Sequence, residues 1–155
     1  MTVDITPVEG DMRDMHGGHI LIVDDDEANV IVLTRILQKA GYERITATTD
    51  ATSAVRLAGE HMADLVLLDL MMPGVDGFEV LDELKGSAGE GERERPAVVV
   101  VTGDVGPDAR FRALERGAAD VVTKPYDIAD IVRRVDDAMR ARLAHSRSSS
   151  LGNAG

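Results

Sequence analysis

Four short aliphatic runs in this chain each end on a side chain that can do ionic chemistry. Asp24 and Asp25 follow Ile20-Leu21-Ile22-Val23, Asp69 follows Leu65-Val66-Leu67-Leu68, Thr102 follows the run from Ala97 to Val101, and Lys124 follows Asp120 to Thr123. If one edge of a fold collects these ends, three carboxylates, a hydroxyl and an ammonium meet there. Carboxylates within several ångströms of one another repel and raise a pKa unless a cation intervenes. Oxygen-only ligands select a hard divalent ion, and Mg²⁺ takes one or two carboxylates together with waters and phosphate oxygens. Lys124 adds a mobile positive charge and Thr102 a hydroxyl donor. These are parts for phosphoryl transfer, in which catalysis is mostly positioning and charge neutralisation. Asp69, the central carboxylate, is the candidate nucleophile.

The intervening segments must do the collecting, and their pattern is suited to it. Helical stretches alternate with the aliphatic runs: about Glu27 to Ala40, closed by Gly41; Asp50 to about His61; Phe78 to Lys85; Pro107 to Gly117, with Pro107 suiting a first turn; and Asp127 to about Leu143. Arg44 to Thr48 reads as a weaker strand. Strands without polar alternation are covered on both faces, so the rhythm predicts an α/β fold with a parallel sheet. Every strand of such a sheet ends on the same edge, where ligands bind. The piece Met72-Pro73-Gly74-Val75-Asp76-Gly77 is turn-rich, and Gly86 to Pro96 reads as a solvated loop. Residues 1–17 read as a flexible N-terminal tail, 18–143 as one domain, and 144–155, rich in Ser and Gly, as a disordered C-terminal tail.

Composition removes several classes of function. A formal charge of −11 disfavours direct nucleic-acid binding, because polyanions repel it. With no cysteine, disulfides and thiolate chemistry are out. No apolar run approaches a membrane span and no signal-peptide layout opens the chain, so a cytoplasmic protein is expected.

Taken together, the segments Ile20 to Asp26, Asp64-Leu65-Val66-Leu67-Leu68-Asp69-Leu70-Met71-Met72-Pro73-Gly74-Val75-Asp76-Gly77-Phe78, Val101-Thr102-Gly103, Gly117-Ala118-Ala119-Asp120 and Lys124-Pro125 resemble the response-regulator receiver family of two-component signal transduction. The resemblance covers roughly Gly18 to Leu143. It implies a flavodoxin-like (βα)5 doubly wound parallel sheet with strand order 2-1-3-4-5. It further implies that Asp69 accepts a phosphoryl group from a sensor histidine kinase or histidine phosphotransfer protein. Asp24, Asp25, Asp69 and the backbone carbonyl of Met71 would bind Mg²⁺, with Asp24 acting through water. Thr102 and Lys124 would contact the phosphoryl group, and Lys124-Pro125 would be a cis peptide. The output would be a switched surface for a downstream protein target, with a homodimer compatible and no turnover of external substrates. Val121 departs from the family: an aromatic commonly stands three residues before the lysine. Tyr126, beyond the lysine, reads as a packing residue.

Competing readings are weaker. Singly, an Asp after a strand is a helix cap and a Lys is solvated surface; the joint placement is what carries weight. His16 and His19 read as tail residues, His61 and His145 as ordinary surface histidines, and Glu92-Arg93-Glu94-Arg95 as a solvated loop. A Mg²⁺-dependent aspartyl phosphatase would want an acid where Met71 stands, and a flavin binder would want stacking aromatics, which total 3% here. A receiver portion of a longer regulator, with its effector beyond the last helix, is the remaining alternative.

Overall fold

A computed structural model describes residues 15–86, 95–103 and 106–154, with side chains described as far as residue 144. Five strands form one parallel sheet: β1 (His19–Val23), β2 (Arg44–Thr48), β3 (Leu65–Leu68), β4 (Ala97–Thr102) and β5 (Asp120–Thr123). Counting these alone, their order is β2-β1-β3-β4-β5, and every neighbouring pair is parallel. This is the expected 2-1-3-4-5 arrangement. The order reverses between β1 and β3, the place where such sheets open a crevice.

Successive strand residues point to opposite faces, so each unbroken aliphatic run feeds two cores. Leu21, Val66, Val98 and Val121 join one layer with helices α2 (Ala54–Glu60), α3 (Gly77–Gly86) and α4 (Pro107–Glu115). Ile20, Leu67, Val99 and Val122 join the other with α1 (Glu27–Lys39) and α5 (Ile128–Ala154). The sheet is therefore wound on both sides. Tyr42, 1% exposed, links these parts: its hydroxyl donates to Asp136 Oδ1 at 2.7 Å, across to α5. Among the described residues, no helix is long and apolar enough to cross a membrane.

Local punctuation follows chemistry. Asp26 caps α1 by accepting from the Ala28 amide, and Asp50 caps a short 3₁₀ turn ahead of α2 by accepting from Thr52. Gly41 and Gly117 close α1 and α4 at φ +112° and +104°, values that favour glycine. Lys124-Pro125 is cis. The turn-rich piece makes a minimal antiparallel ladder, Met71–Met72 with Val75–Asp76.

Three places differ from expectation. His19 is no tail residue: it opens β1, 7% exposed, with its amide donating to Asp64 Oδ2 at 2.9 Å and Nε2 bonded to Thr46 Oγ1 at 2.8 Å. Met15 is 3% exposed in the α1–α5 layer, and the His16 ring stands edge-on to Tyr42 at 5.1 Å. The last helix continues past Leu143 to Ala154, since no proline and no glycine before Gly152 stops it. His61 is exposed as expected. Residues 92–94 of the charged loop and the His145 side chain lie outside the described residues.

Burial, then Arg44 and His61, lower the His19 pKa from 6.5, with Asp64 opposing. A base whose folded pKa is lowered leaves stability intact at neutral pH and drains it as pH falls through the unfolded value. Urea unfolding is therefore expected to show stability declining from about pH 7 to about pH 5, less steeply in His19→Gln. Parallel pH curves for the two proteins would contradict this.

Candidate functional site

The ladders run one residue beyond the strands, and those extra residues are the ionic ones. The Asp24 amide donates to the Thr48 carbonyl at 3.2 Å, the Asp69 amide to Val23 at 3.0 Å, and the Lys124 amide to Thr102 at 2.9 Å. Backbone hydrogen bonding thus sets Asp24, Asp69, Thr102 and Lys124 on one rim.

At that rim Lys124 Nζ lies 3.2 Å from Asp24 Oδ2 and 3.2 Å from Asp69 Oδ2. Both carboxylates are buried, at 2% and 4% exposure, while Asp25 is exposed beside them. One oxygen each from Asp24, Asp25 and Asp69 can be chosen so that all lie within 4.8 Å of one another. Three negative charges against one ammonium leave a deficit of positive charge in a partly dehydrated place. A cluster of hard oxygen donors short of cations has the donor set to hold a metal ion.

The consecutive acids divide the work. Asp26 serves the helix, as the cap reading has it. Asp24 instead turns to the rim, accepting from the Asp26 amide at Oδ1 (2.9 Å) and from Asn29 Nδ2 at Oδ2 (3.0 Å). Asn29 escaped the sequence reading; the signal was its position three residues past the cap, which returns its side chain over the first turn of α1. The Asp69 carboxylate accepts the Met71 amide at 2.9 Å, and Met71 itself is 57% exposed. Gly77 keeps this loop closed: a Cβ there would come within 2.5 Å of Leu70 Cα, so α3 starts where only glycine fits. Thr102, fully buried, is the last residue of β4, paired in register with Thr123. Val121 is 3% exposed in the α2–α4 layer, and Tyr126 packs against the opposite layer as expected.

Electrostatics follow from burial. Dehydration raises the Asp69 pKa above the ordinary carboxylate range; the Met71 amide and Lys124 pull it back, and Asp24 pushes it further up. For Lys124, burial alone would depress the ammonium, but Asp69 and Asp24 outweigh it and the net shift is upward.

Residues 20–136 match the response regulator receiver domain. The chain belongs to that family. The response regulator PleD of Caulobacter vibrioides is 41% identical over 124 residues, covering 80% of this chain and 26% of PleD. NtrX from Brucella abortus superposes with a TM-score of 0.75 at 27% identity, covering 87% of this chain and 29% of NtrX. CheY in a CheX-CheY-BeF₃-Mg²⁺ complex from Borrelia burgdorferi gives 0.68 at 28% identity, covering 76% and 86%. This receiver domain thus spans under a third of PleD and of NtrX. Its fold is that of flavodoxin and CheY, and a two-component signalling domain is its class.

An acid whose folded pKa is raised destabilises the fold at pH values above its ordinary one. Asp69→Asn is accordingly expected to stabilise the receiver at neutral pH in the presence of chelator, by about 1 kcal/mol. The gain should shrink as pH approaches the carboxyl range, where the parent Asp69 is itself neutral. Equal or lower stability of the variant in urea unfolding at neutral pH would contradict this electrostatic account.

Proposed function

We propose that Asp69 is the phosphoacceptor of this receiver, taking its phosphoryl group from a sensor histidine kinase or a histidine phosphotransfer protein. The observation that carries the reading is the meeting of Asp24, Asp25, Asp69 and Lys124 at one rim. Family membership and the beryllofluoride and magnesium named for the CheY relative support it.

Asp69 is the reactive carboxylate because it stands centrally, with Lys124 holding its negative charge. In the transfer, an Asp69 oxygen forms a bond to phosphorus as the phosphorus–nitrogen bond of the donor histidine breaks, and the imidazole leaves with the electron pair. Mg²⁺, held by Asp25, Asp69 and the Met71 carbonyl, with Asp24 acting through water, would supply charge neutralisation for the phosphoryl oxygens. The Lys124 ammonium then shifts from bare carboxylates to phosphoryl oxygens, and the Thr102 hydroxyl donates to the same group. These new contacts bias the loops after β3, β4 and β5 and change a surface read by a downstream protein. Such a domain modifies itself and turns over no external substrate; an aspartyl phosphatase would again want an acid at Met71. The setting proposed is the cytoplasm.

A second reading, a receiver portion of a longer regulator, is favoured by the small share of PleD and NtrX that the match spans. The length of the native protein decides it.

Incubation with acetyl phosphate and Mg²⁺ followed by intact mass is expected to show a gain of one phosphoryl group, absent in Asp69→Asn and suppressed by chelator. Equal labelling of Asp69→Asn would move the acceptor elsewhere.

A further inference from the structure

Helix α4 is attached differently from the others. Helices α1, α3 and α5 drive large aliphatic side chains such as Leu37, Leu81 and Ile131 into the cores at 0% exposure, and the short α2 packs Val55 and Leu57 there. The residues α4 buries are Ala109 and Ala113, while Phe111 and Leu114 stand 64% and 40% exposed. Two methyl groups remove little apolar area from water, so hydrophobic burial holds α4 weakly.

Arginines supply the other attachments. Towards α3, the Arg112 guanidinium lies 4.0 Å from the centre of the Phe78 ring, and Arg116 pairs with Asp82 at 2.6 Å. Towards β5, Arg110 Nη1 donates to the Val121 carbonyl at 3.1 Å. Strand β5 lies at the sheet edge, so this donor meets a main chain with a sheet neighbour on one side alone.

The position of that bond links it to the rim. Helix α4 follows Thr102 in the chain, and Val121 stands three residues before Lys124 on the strand that delivers it. Arg110 therefore ties the helix that leaves the site after Thr102 to the strand that brings Lys124 into it. The bond belongs to the arrangement in which Lys124 reaches the Asp69 carboxylate directly.

We infer that Arg110 is a positioning residue that latches α4 to β5 when Asp69 carries no phosphoryl group, and that the latch opposes modification of Asp69. The inference rests on the acceptor reading of Asp69. A bond made in one of two arrangements lowers the affinity for any ligand that favours the other, and removing it must raise that affinity. Arg110 is exposed, so its loss leaves both cores intact.

Beryllofluoride with Mg²⁺, titrated by calorimetry into the parent chain, Arg110→Ala and Arg110→Gln, tests the latch. Both variants are expected to bind beryllofluoride about three- to tenfold tighter, the range of one hydrogen bond. Hydrogen exchange in α4 is expected to be faster in the variants before addition, a change confined to that helix. If the parent binds and both variants bind equally or more weakly, the latch is overturned and the acceptor stands. If the parent neither binds beryllofluoride nor gains a phosphoryl group from acetyl phosphate, the acceptor reading fails, and the latch with it.

Discussion

One ammonium facing two buried carboxylates, with a third carboxylate at the surface beside them, is the constraint on which the site depends. Removing a carboxylate from water is costly, and placing two together compounds the cost through their repulsion. Lys124 offsets part of it by sitting 3.2 Å from both Asp24 and Asp69. The Asp26 and Met71 amides and the Asn29 amide group offset more by donating to carboxylate oxygens. On the function proposed above, the remaining imbalance is what a divalent cation or an added phosphoryl group, followed by Lys124, would relieve. The site is thus a local cost carried by a well-packed remainder.

That remainder is the double-sided sheet. Because β1 and β3 are covered on both faces, their ends cannot drift without disturbing two cores, and Asp24 and Asp69 inherit that rigidity. The loop after Asp69 is held by an exclusion: Leu70 backbone occupies the space a Gly77 side chain would take. Helix α4 has neither kind of support, and its arginine contacts are of a type that can be exchanged without opening a core. On the function proposed above, the rigid β1–β3 rim would hold the chemistry still while the lightly anchored helix responds.

Much of this was legible in the residues. A parallel sheet converts a one-dimensional fact, a polar residue ending an aliphatic run, into a three-dimensional one, and so Asp24, Asp69, Thr102 and Lys124 could be assigned to a single rim from spacing alone. Contacts that depend on how helices dock could not be read this way. Arg110 looks like an ordinary helix-surface residue, and nothing local to it points to the Val121 carbonyl. His19 was hidden for a related reason: polar residues at a strand start read as loop, and its burial comes from the strands and turns beside it, through Asp64 and Thr46. Met15 likewise acquires its place only when α1 and α5 are assembled. The extension of α5 beyond Leu143 went unread because serine and glycine content suggests disorder, whereas termination of a helix demands a specific stop.

The central claim is that side chains distant in sequence share one cation-binding rim. Crystals grown with Mn²⁺ in place of Mg²⁺, measured at an energy where manganese scatters anomalously, locate the ion directly. A single strong anomalous peak bonded to carboxylate oxygens of Asp25 and Asp69, with Asp24 and Lys124 adjoining it, is the predicted result. A peak elsewhere, or a map that sets these carboxylates on separate faces, would contradict the account.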